Sequence, residues 1–127
     1  MSQRIERGIF VVHSMVTLAA AVVLAVYPAA IPRTVGISIS PNEHLLSYFL
    51  AAAELAIGLL SLAAVRLRDA GAVRMIALCF VALHGATAAL EVVYSVNEGA
   101  SAVLTANIIV RVIVMVAFLL VVRRRPA

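Results

Sequence analysis

Five side chains in the apolar stretches of this chain could do chemistry: Glu54, His84, Glu91, Asn107 and Arg111. Two carboxylates in different surroundings can hold different protonation states, one serving as acid and the other as base. Imidazole titrates near neutrality, so His84 reads as a proton relay. Arg111 would hold a carboxylate ionised or stabilise a developing anion. Such a set suits isomerisation, ring opening or cyclisation, none of which needs an external redox cofactor. Glu54, Glu91, His84 and Arg111 are therefore the candidate catalytic residues. Asn107, Thr87, Ser47, Tyr48 and Tyr94 are the candidates for substrate binding. Spacing groups them: Asn107 precedes Arg111 by four residues, Glu91 follows His84 by seven, and Ser47 and Ser61 flank Glu54 at intervals of seven. Each interval keeps a pair on one helical face.

Other chemistries find no support. His13, His44 and His84 are scattered, without HExxH or another metal signature, so no metal site is expected. P-loop, GxGxxG and GxSxG motifs are absent. Cys79 is the single cysteine and excludes an internal disulfide or CxxC redox chemistry. His13 reads as a packing residue, and His44 with Glu43 as an exposed rim. Haem is conceivable through His13 or His84, but no motif calls for it, so no cofactor is expected.

The elements that must position these residues follow from hydropathy. Of the 127 residues, 65% are hydrophobic and 13% charged, and mean hydropathy is +1.12. A soluble domain is about 45–50% apolar, so the chain belongs in a lipid bilayer. Four apolar runs, 8–27, 45–65, 75–94 and 102–122, each approach the ~20 residues that span the hydrocarbon core. The connectors are short and hold breakers: "PAAIPRTVGISISPNEH", "RLRDAGAVR" and "SVNEGAS". The expectation is an all-α, antiparallel four-helix transmembrane bundle forming a single domain over 1–127. "SPNE" reads as a helix start, with Ser40 and Glu43 as a capping box and Pro41 at the first helical position. The first run is longer than a signal-peptide core and is kept as a span.

Four spans place both termini and the second connector on one side. That side holds Arg4, Arg7, Arg66, Arg68, Arg74, Arg123, Arg124 and Arg125, against Arg33 on the other. Positive charge stays inside, so both termini are expected in the cytoplasm of a bacterial inner-membrane protein. The arginines act as topological anchors rather than as a nucleic-acid surface, and any homo-oligomer would be parallel. Tyr27, Tyr48 and Tyr94 fall near the outer ends, where an interfacial aromatic belt belongs.

Glu54, His84 and Arg111 each lie near the middle of a span, with Asn107 and Glu91 one level outward. A charge at the bilayer centre costs about 2.5–3.5 kcal/mol on insertion scales unless it faces a partner. Glu54 and Arg111 are thus expected to pair, with Glu91 a second carboxylate for the arginine or a partner for His84. The same groups could simply fasten helices, since polar pairs join membrane helices without chemistry. Ala and Gly flank Glu54 in "YFLAAAELAIG" and His84 in "LHGATAALE". They permit close packing, or a pocket beside the polar side chains.

The four-span plan, the arginine-rich turn after the second run and the ending "NEGASAVLTANIIVRVIVMVAFLL" resemble the small bacterial four-helix membrane proteins of the DoxX-like group. The likeness covers most of the chain. It implies a compact helical membrane domain; some members attach to redox complexes, but the cysteine motif of those members is missing here. In plan, the chain is also similar to sterol isomerases and the sigma-2 receptor, where intramembrane carboxylates face a lipophilic ligand. Haem-containing membrane epoxide isomerases are a further analogy. Three functions stand open: binding and isomerising or cyclising a lipophilic small molecule, proton-coupled transport by an oligomer, and a non-catalytic scaffold or accessory subunit.

Overall fold

The computed structural model describes residues 2–124; Arg125, one of the arginines used to orient the chain, lies outside them. Its helices are α1, Gln3–Val26; α2, Ala30–Thr34; α3, His44–Ala64, led by a 3-10 turn at Pro41–Glu43; α4, Ala70–Glu98; and α5, Ala102–Arg124. Among the described residues there is no strand. The four long helices, with the 3-10 turn counted into α3, are long and apolar enough to cross a membrane.

Helix ends differ from the apolar runs because hydrogen bonds, not hydropathy, set them. Ser2 starts α1 inside the polar leader, its hydroxyl accepting from the Ile5 N–H at 3.4 Å. Asp69 starts α4 by accepting from the Ala72 N–H at 2.6 Å. That helix continues through "SVNE" to Glu98, where Gly99 at φ 98° ends it. The expected cap before α3 forms: the carboxylate of Glu43 accepts from the Ser40 N–H at 2.6 Å and from its hydroxyl at 2.9 Å. The proline-bearing connector also holds one short helix, α2, with Pro32 in its first turn, where a missing N–H costs nothing.

The chain forms two compact units, Ser2–Val65 and the segment from Arg66 onward. In the first, α1 packs on α3 along a polar seam. The Ser14 hydroxyl donates to the Gly58 carbonyl at 2.8 Å, and the Ser61 hydroxyl to the Phe10 carbonyl at 2.9 Å. That bond uses the only hydroxyl hydrogen of Ser61. The 3.0 Å contact between His13 Nδ1 and Ser61 Oγ therefore has the imidazole as donor. Ser47 ties the far end of α3 to the Pro28 carbonyl at 2.8 Å. Gly58 marks the closest approach: a Cβ there would lie 2.7 Å from Leu18 Cγ and 2.8 Å from Thr17 Oγ1. Thr17 has little freedom to yield, because its hydroxyl is engaged by the His13 and Ser14 carbonyls at 2.9 and 3.1 Å.

In the second unit α4 packs on α5. Phe80 meets Phe118 with ring centroids 5.0 Å apart and planes at 57°, a tilted geometry that aromatic pairs favour. Gly85 faces Met115, and Glu91 faces Asn107 and Arg111. A Cβ on Gly85 would lie 3.1 Å from the Met115 sulfur, but a flexible thioether can move aside.

The two glycines should respond differently to alanine. Gly58→Ala overpacks the α1–α3 seam and is expected to destabilise by about 1–3 kcal/mol. Gly85→Ala should be neutral or gain up to about 1 kcal/mol of helix propensity. Thermal unfolding of both variants in the same detergent measures the difference; equal losses would contradict the close approach at Gly58.

Candidate functional site

The second unit builds its polar site through a short turn. Gly99 closes α4, and the Ser101 hydroxyl accepts from the Leu104 N–H at 3.1 Å, so α5 begins at once. This tight connection fixes which residues face each other. Glu91, on α4, lies opposite the face of α5 that carries Asn107 and Arg111 one turn apart.

Both donors converge on one oxygen. Arg111 Nε donates to Glu91 Oε1 at 2.9 Å, and Asn107 Nδ2 donates to the same atom at 2.8 Å. The first is an ion pair whose side chains are 24% and 17% exposed. An ionised carboxylate only accepts, which turns the amide nitrogen of Asn107 toward it. Charge-assisted bonds of this kind are roughly twice as strong as neutral ones. The other carboxylate oxygen, Glu91 Oε2, is buried and has no hydrogen-bond partner among the described residues. Arg111 makes its protein contact through Nε, so its terminal amino groups take no part in the pair.

Glu91, expected as a second carboxylate for the arginine, thus meets Arg111 within this unit. Side-chain direction explains the level of the contact. A helical side chain leans toward the N-terminus of its helix, so the Arg111 guanidinium reaches back to the level of Asn107. Glu91 waits at that level. The site consequently lies nearer the α4–α5 turn than the middle of the helices.

The remaining candidates are placed as follows. Glu54 is half-buried on α3. His84 is buried on α4, two turns before Glu91. Thr87 donates to the Leu83 carbonyl of its own helix at 2.7 Å. Ser47 is committed to Pro28. Tyr48 and Tyr94 are exposed, as interfacial side chains would be. Among the described residues no group of three or more His, Cys, Asp and Glu side chains could hold a metal ion.

Comparison with protein families, with curated proteins and with solved structures returns no match to any of them. The polar seam of α1 is faint in the sequence, because Ser14 and Thr17 carry no charge. Its signal is the three-residue spacing of two hydroxyls on one face of a span.

Removing one member of the Glu91 group should cost more than removing all three. Glu91→Ala leaves a guanidinium and an amide without their acceptor, and a loss of about 1–3 kcal/mol is expected, reduced from the fully buried case by the remaining exposure. The triple variant Glu91→Leu, Asn107→Leu, Arg111→Met should recover most of that loss. Detergent-solubilised thermal melts of both test this, and a triple variant weaker than Glu91→Ala would refute it.

Proposed function

We propose that this chain is a four-span integral membrane protein of the bacterial inner membrane that binds a lipophilic small molecule and isomerises or cyclises it. The antiparallel arrangement is supported by contacts that run in opposite chain directions within each unit. Phe10 with Ser61 and Pro28 with Ser47 do so in the first, and Phe80 with Phe118 and Glu91 with Asn107 in the second. The arginine bias supports both termini in the cytoplasm, and the plan resembles that of the DoxX-like group.

The observation that carries the functional reading is the buried oxygen Glu91 Oε2, which lacks a hydrogen-bond partner among the described residues while Oε1 accepts twice. A carboxylate used only as a fastener gains most when both oxygens are engaged, since an unmatched buried acceptor costs about 1–3 kcal/mol. Here one oxygen is held and the other is left to receive a hydrogen from a ligand. Glu91 would take a proton through Oε2 from one position of the substrate and return it at another. The Arg111 amino groups, which the pair does not use, would serve as donors for a ligand oxygen that gains negative charge. No redox equivalent enters or leaves, so the reaction closes as an isomerisation or an internal ring formation.

The fastening role is the second reading, because both bonds to Glu91 also join α5 to α4. A thermal-shift panel of lipophilic alcohols, ketones and epoxides separates the two. At least one class should stabilise the wild type and convert on incubation, while Glu91→Gln keeps its fold and loses both responses; Glu54→Gln then tests the second carboxylate. If Glu91→Gln responds like the wild type, the site does no chemistry.

A further inference from the structure

The other end of the second unit carries a rim of guanidinium groups. Arg66 and Arg68 precede α4, Arg74 lies just past its first turn, and Arg123 and Arg124 close α5. Register brings them to one level. Phe80 faces Phe118; six residues toward the start of α4 is Arg74, and six residues further along α5 is Arg124. Arg66, Arg68, Arg123 and Arg124 are exposed. Arg74 is half-buried, and its Nε is a buried donor with no hydrogen-bond acceptor among the described residues. The nearest acid in sequence, Asp69, already has Oδ1 engaged as the cap of α4. Directly beside these charges, Leu67, Met75, Leu78 and Leu120 are 39%, 62%, 37% and 48% exposed.

We propose that this rim binds the headgroup phosphodiester of an anionic phospholipid. Arg74 supplies its guanidinium to the phosphate oxygens, the flanking arginines supply the field, and the acyl chains lie along Met75, Leu78 and Leu120. Guanidinium suits a phosphodiester because it is always charged, is weakly hydrated, and carries a fork of donors that matches phosphate oxygens. A soluble anion would use the charge alone. An amphipathic lipid uses the charge and the adjoining apolar surface together, and an arginine cluster next to a membrane helix draws anionic lipid within a Debye length. The site is independent of the chemistry assigned to Glu91.

Native mass spectrometry tests it on the full chain released from mixed vesicles of phosphatidylglycerol and phosphatidylcholine. The wild type should retain phosphatidylglycerol in preference to phosphatidylcholine, with the preference falling as salt rises. Each arginine removed should weaken it about fivefold. Arg74→Gln should show this loss, and Arg74→Lys, which keeps the charge without the fork, an intermediate one. The double variant Arg123→Gln, Arg124→Gln, on exposed positions that leave packing intact, should lose more; Arg33→Gln, in the first unit, should lose nothing. Equal retention of the two lipids, an unchanged preference in the Arg123/Arg124 variant, or displacement of the lipid by inorganic phosphate would each overturn the proposal.

Discussion

An ionised group in an apolar medium must have an opposite charge within reach, and in this molecule Glu91 and Arg111 meet that demand for each other. The distance between them, 2.9 Å through Nε, follows from several prior facts. The turn between α4 and α5 must be short, Gly99 must take its positive φ, and Ser101 must start the next helix. Asn107 must stand one turn before the arginine, because that is where the guanidinium arrives. Loosening any of these would leave two charges in hydrocarbon, a state that costs several kcal/mol on any scale. The pair is therefore a constraint on backbone register as much as a bond.

The two units solve the problem of joining helices in lipid by different means. Between α1 and α3 there is no hydrophobic drive, since lipid is as apolar as leucine. The seam relies on hydroxyls donating to backbone carbonyls and on a glycine that admits a close neighbour. Between α4 and α5 the joint is made of larger parts: an aromatic pair at one level and an ion pair with an amide at another. The first kind of joint depends on shape and on short bonds from hydroxyls to the backbone. The second retains a carboxylate oxygen without a partner among the described residues, and that asymmetry sets α4 and α5 apart.

Much of this was legible in the residues. Hydropathy marks the four spans because a bilayer admits little else, and "SPNE" announces its cap because serine and glutamate at that spacing satisfy each other's backbone. That Arg111 needed a carboxylate was also legible, and Glu91 was among the candidates. The level at which they meet was not, since depth counted along the backbone ignores the lean of a long side chain toward the helix start. Helix ends were hidden for a related reason: the first turn of α1 and the last of α4 are polar, and only Ser2 and Gly99 mark where they stop. Thr87 and Ser47 give their hydrogens to the backbone carbonyls of Leu83 and Pro28, in competition with any other acceptor. Sequence cannot reveal such local competition when every carbonyl is the same in every residue.

The short turn after Gly99 has a consequence for how the protein reaches its membrane. Glu91 leaves the ribosome twenty residues before Arg111, so α4 alone would carry an unmatched acid into the bilayer, and α5 alone an unmatched base. Transferred as a hairpin, the two enter with their charges already neutralised and their donors already spent on each other. The least costly unit of insertion is then the helix pair, and biogenesis of the second half is a single event.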